Sequence, residues 1–112
     1  MKDEIRKHLH DIRQAAAAIK AFAAGHTFDD YVADDLLRSG IERKFQIIGE
    51  GLLRIKRDAP AILDQIREQR DIVSFRNILV HGYDSIDDRI VWSVISEDLA
   101  RLLEDVERLL RQ

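Results

Sequence analysis

The sequence predicts an all-α protein: an antiparallel bundle of four main helices with one extra short helix. Three observations predict it. Apolar residues recur at spacings of three and four along most of the 112-residue chain, the period of a helix with one buried face. Only 5 Gly and 1 Pro interrupt that pattern. Ala, Leu, Ile, Arg, Glu and Asp dominate the composition, which suits helix, and no stretch alternates in the manner of a strand.

The first helix is predicted over residues 3–24. Ile5, Leu9, Ile12, Ala16, Ile19 and Ala23 form its stripe, and Gly25 stops it. The alanine run 15–18 lets a neighbouring helix approach closely. After a short connection, Asp29 or Asp30 caps a long second helix that runs to about residue 56. Its stripe is Val32, Leu36, Ile41, Phe45, Ile48, Leu52 and Ile55, with a possible kink at Ser39-Gly40. Residues 57–60 are the clearest break. Asp58 can cap a short helix with Pro60 in its first turn and Ala61, Ile62 and Ile66 on its apolar side. The next helix, residues 71–80, carries Ile72, Val73, Phe75, Ile78 and Leu79, and Gly82 can end it. Asp84, Ser85 or Asp87 caps the last helix, which continues to about residue 111. There Ile90, Val91, Val94, Ile95, Leu99, Leu102, Val106 and Leu109 read as buried, and Glu97, Arg101, Glu104, Asp105 and Arg108 as an outward, paired face.

Residues 1–112 make one domain, large enough to bury roughly two thirds of its unfolded surface. Cysteine is absent, which excludes disulfides, thiolate metal sites and cysteine nucleophiles. The start of the chain is charged rather than apolar, and no apolar run approaches a membrane span. A cytoplasmic protein without membrane contact is expected. With 18 Lys+Arg against 21 Asp+Glu the net charge is −3, and no basic face stands out. Any contact with RNA must therefore rest on a few placed arginines or on two chains combining their surfaces.

The chemistry concentrates in Arg76-Asn77-Ile78-Leu79-Val80-His81-Gly82-Tyr83. RNA can be cut by its own 2′-hydroxyl when a base removes the proton and a cation stabilises charge on the phosphate. An imidazole titrates near working pH, and a guanidinium binds phosphate with a planar fork. His81 and Arg76 are the right residue types. Five residues separate them, about 140° around an ideal helix, so they meet only if His81 sits at the helix end and Arg76 reaches along the surface. Asn77 is one turn before His81 and can hold the imidazole or touch a phosphate. Tyr83 lies past the helix end, where it can stack on a base or meet a phosphate.

Arg76-x4-His81-x-Tyr83, with Asn77 directly after the arginine, resembles the signature of the HepT-like toxins, members of the HEPN superfamily of small helical ribonucleases. Residues 41–50, IERKFQIIGE, resemble the family's other characteristic segment, and Tyr83-Asp84-Ser85-Ile86-Asp87 and Val91-Trp92 match its style. The resemblance covers roughly residues 3–110. It implies a metal-independent ribonuclease without a cofactor, with Arg76 and His81 catalytic. It further implies a toxin whose antitoxin is a minimal nucleotidyltransferase of the MntA type, which transfers AMP from ATP to Tyr83. A homodimer with both motifs in one shared cleft is also implied, and RNA is the expected substrate.

The remaining candidates read more plainly. Gly49 within a helix points to close helix contact. Glu50 can pair on the surface with Arg54 or Arg43, or orient Arg76 or His81 from behind. His8, His10 and His26 lack ligand spacing, so no zinc site is expected. Asp84, Asp87 and Asp88 suit a helix cap better than a magnesium ion, and Trp92 suits a core or an interface between chains better than a base. The alternative function is a non-catalytic helical subunit that binds and regulates a nucleotidyltransferase, which mild acidity and the lack of a basic face also fit.

Overall fold

The computed structural model describes residues 1–81 and 87–112, with His81 described by its backbone alone. Helix α1 spans Asp3–Ala23. Asp3 and Glu4 in its first turn and Lys20 in its last complement the helix dipole. Gly25 follows at φ 78°, the left-handed geometry that a glycine adopts without steric cost.

The predicted long second helix is two helices. Asp34 is extended (φ −111°, ψ 100°) and divides α2, Phe28–Ala33, from α3, Asp35–Asp58. Each start has its own cap. Thr27, rather than Asp29 or Asp30, caps α2, and Asp30 completes the box by accepting from the Thr27 N–H. The Asp34 carboxylate accepts from the Leu37 N–H and opens α3. Because the chain turns there, Val32 and Leu36 of the predicted stripe face outward, while Tyr31 is wholly buried against Trp92 with ring centroids 5.5 Å apart. No break falls at Ser39-Gly40.

Pro60 stands at the first position of α4, Pro60–Leu63, where its missing N–H costs nothing. Asp58 does not cap that helix; it is engaged by the neighbouring Arg57 at 2.8 and 2.9 Å. Helix α5 spans Gln69–His81. The predicted roles of Gly82, Asp84 and Ser85 lie outside the described residues. Asp87 caps α6, Asp88–Ser93, by accepting from the Arg89 N–H. A π-helical turn at Val94–Asp98 then leads into α7, Leu99–Leu110. That turn absorbs the five-residue step between Val94 and Leu99, so both face the core, while Ile90 faces outward.

The bundle is antiparallel where contacts define direction. Along α1 and α3, Ile12 meets Gly51 and Phe22 meets Gly40. A Cβ on Gly51 would come within 2.8 Å of Ile12 Cγ1, so this glycine permits the close approach. Arg6 near the start of α1 donates to the Leu110 carbonyl at the end of α7 at 3.0 Å. Helix α3 is central, with α1 and α5 packed on it and α7 on α1. The core runs through Leu9, Ile12, Ile19, Phe45, Ile48, Leu52, Ile72, Leu102 and Val106. The result is the predicted four-helix architecture, with α2 as a second short helix beside α4. Among the described residues there is no strand, and no helix is long and apolar enough to cross a membrane.

Asp105 does not face outward. It is fully buried, and Arg67 and Arg108 hold it. Its position explains this: Asp105 lies three residues after Leu102 and four before Leu109, on the apolar stripe itself.

Candidate active site

Helix α5 meets the bundle through Ile72, Phe75 and the half-buried Leu79. Phe75 packs edge-on against Phe45 of α3, with ring centroids 5.0 Å apart. Arg76 sits at the margin of that same packed face. An arginine fits there because the residue facing it on α3 is Gly49, which has no side chain. A Cβ at position 49 would run into Arg76 Cβ and Cγ and lie 3.3 Å from Cδ. The close contact inferred for Gly49 is thus specifically a seat for the arginine stem.

The aliphatic stem is covered and the head emerges. The Arg76 side chain is 19% exposed. Its Nη1 donates to Asn77 Oδ1 at 3.2 Å, and its Nη2 lies 3.7 Å from Glu50 Oε1. Glu50 faces Arg76; neither Arg54 nor Arg43 is its partner among the described residues. The Nε is buried and makes no hydrogen bond among the described residues. At 3.7 Å the Glu50 contact is an ion pair beyond hydrogen-bonding distance, so the carboxylate orients the guanidinium without saturating it.

Asn77 is exposed. His81 is the last residue of α5, one turn beyond Asn77 and on the same side of the helix axis. Its helix-end position agrees with the sequence expectation. The His81 side chain and the whole of Tyr83 lie outside the described residues. Asn77 Oδ1 thus holds the Arg76 guanidinium one turn before the end of α5.

The other histidines are remote in role. His8 is buried on α1, His10 lies 3.1 Å from Arg13, and His26 lies 3.6 Å from Asp30. No group of three or more potential metal ligands occurs among the described residues. Trp92 is half-buried beside Tyr31, as a packing residue.

A family model described as ribonuclease HepT-like matches residues 12–109. A Thermococcus cleftensis protein provisionally named ribonuclease HepT is 29% identical over 109 residues, covering 97% of this chain and 98% of its own. A Methanocaldococcus jannaschii protein provisionally named an RNase is 26% identical over 106 residues, covering 95% of this chain and 96% of its own. A third, from Caldanaerobacter subterraneus subsp. tengcongensis and also provisionally named an RNase, is 25% identical over 107 residues, covering 96% and 95%. No solved structure gives a significant match.

Proposed function

This chain belongs to the HepT-like ribonuclease family, and on that premise we propose that it is a metal-independent endoribonuclease, the toxin of a toxin–antitoxin pair. The observation that carries the proposal is the seating of Arg76 over Gly49, with its guanidinium between Glu50 and Asn77. Its Nη1 and Nη2 are only loosely engaged there, and a guanidinium in that state can still donate paired hydrogen bonds to a phosphate.

In the proposed reaction His81 takes the proton of a 2′-hydroxyl. The 2′-oxygen attacks the adjacent phosphorus, and the bond to the 5′-oxygen breaks as that oxygen gains a proton. The products are a 2′,3′-cyclic phosphate and a free 5′-hydroxyl. Arg76 stabilises the charge gathering on the non-bridging oxygens. Asn77 supports the pair, and Glu50 positions Arg76. Two chains sharing one cleft would relieve the 140° separation of Arg76 and His81, since one phosphate could meet residues of both.

Regulation is proposed at Tyr83, by an MntA-type nucleotidyltransferase. The phenol oxygen would attack the α-phosphorus of ATP, pyrophosphate would leave, and AMP would remain on the ring. That places a bulky anion two residues from His81 and within the reach of an arginine that binds phosphate. The protein is proposed to act in the cytoplasm as one domain.

The test is a cleavage assay on the purified protein with RNA and excess chelator. The parent is expected to cut, and His81→Ala to lose cutting while keeping its helix content by circular dichroism. Undiminished cutting by His81→Ala would overturn the assignment. A folded parent that cuts no RNA would favour the non-catalytic subunit.

A further inference from the structure

We infer that Arg43 and Arg54 are substrate-binding residues, holding RNA phosphates on either side of the one cut at Arg76. The inference rests on the ribonuclease activity proposed above. It follows from how the arginines of α3 are employed. Arg38 donates to the Tyr31 and Val32 carbonyls and pairs with Asp35 at 3.1 Å. Arg57 is held by both oxygens of Asp58. The two arginines between them are different. Arg54 is exposed and makes no ion pair among the described residues. Arg43 is exposed, and its described partner is the neutral Gln46, to which Nη1 donates at 3.4 Å.

Glu50 is the carboxylate that the helical register offers to both, and it turns to Arg76 instead. Asp58, one turn after Arg54, is held by Arg57, so among the described residues two fixed cations are left without a counter-charge on the same face of α3. Along the axis, Arg43 lies about 10 Å before Glu50 and Arg54 about 6 Å after it, all within about 40° of one line. The Arg76 guanidinium sits at Glu50 and so falls between them. The three form a row about 16 Å long with a single carboxylate in it. A row of guanidinium groups fits a polyanion laid lengthwise, and a single RNA strand presents its phosphates in that way. Such contacts position a strand without reading its sequence. They also supply a placed cation track on a chain whose net charge is −3.

The test is binding of fluorescent single-stranded RNA to the full-length His81→Ala protein, titrated over a range of salt. Arg43→Ala and Arg54→Ala, each added to that background, are expected to weaken binding several-fold on every sequence tried. Each should also lower the slope of log affinity against log salt by about 0.7. Arg43→Lys and Arg54→Lys should restore the slope, and Lys20→Ala on α1 should change neither quantity. Unchanged affinity and slope in both arginine variants would overturn the inference while leaving the activity assignment in place. If His81→Ala binds no RNA and the parent cuts none, both fall together.

Discussion

Two of the arginine–carboxylate clusters among the described residues, one around Asp105 and one around Arg76, are built in opposite ways. At the α7 cluster, Asp105 is fully buried and its oxygens are saturated. The Arg67 backbone N–H and Nε donate to one at 3.0 and 3.1 Å, and Arg108 Nη1 donates to the other at 2.8 Å. Arg108 also reaches the Gln65 carbonyl at 2.8 Å. At the α3–α5 crossing the same residue types meet loosely. Glu50 stands 3.7 Å from Arg76, a neutral amide takes one N–H, and the Nε has no partner among the described residues. On the function proposed for Arg76, the difference is that between a lock and a tool. A saturated pair contributes only to folding, whereas an unsaturated one keeps capacity for a ligand.

Breaking the lock has the largest expected effect on stability. Asp105→Ala removes the buried acceptor shared by Arg67 and Arg108, leaving the Arg67 backbone N–H without its partner, and should cost about 1–3 kcal/mol, read by chemical denaturation. Burial raises the Asp105 carboxyl, but hydrogen bonds from the Arg67 side chain and backbone and from Arg108 outweigh it and hold the group below the usual range. The lock is therefore complete above the ordinary carboxylate pKa and weakens as pH falls through the depressed folded value. The gap between parent and variant should narrow in acid. A gap that widens there would mean that Asp105 is not held as an anion.

Gly49→Ala probes the crossing. The added methyl collides with the base of the Arg76 side chain, where overpacking costs about 1–3 kcal/mol against about 1 kcal/mol regained in helix propensity. A net loss of stability is expected, with a larger proportional loss of cutting because the arginine is displaced. A variant that is more stable and fully active would show that the helices need no such close seat.

The smallest effect is expected at Glu42. Burial, reinforced by Asp88, pushes its carboxyl up. The fold therefore prefers the protonated form, and this contribution to stability falls as pH rises through the folded value. Glu42→Gln should melt slightly above the parent near neutrality and level with it in acid. The opposite order at neutral pH would show that the Glu42 carboxylate is instead a stabilising anion.

Much of this was legible in the sequence, and the misses share a cause. The stripes of α1, α3, α5 and α7, the Gly25 stop and Pro60 at a helix start follow from periodicity and backbone chemistry alone. Apolar residues continue on both sides of Asp34 and hide the break there, and Thr27 stands beside two aspartates of at least equal capping ability. The charge of Asp105 points outward while its register points inward, since positions 102, 105, 106 and 109 make one stripe. Arg76 carries the same signature, a charge beside Ile72, Phe75 and Leu79 on a packed face. A charged residue within an apolar stripe is the signal to follow, and only coordinates tell whether its partners saturate it. The choice of Glu50 among three arginines depended on α5 lying across Gly49, a contact between residues 27 apart in sequence that helical spacing along α3 does not encode.

The most direct measurement compares Arg76→Met, which keeps the stem packed on Gly49 and removes the guanidinium, with the parent for RNA cleavage under chelation and for thermal unfolding in the same buffer. A tool at the crossing predicts a rate loss on the order of a hundredfold or more with a melting temperature close to the parent's. Parent-like cleavage together with a stability loss as large as that of Asp105→Ala would contradict it, and would make Arg76 a second lock.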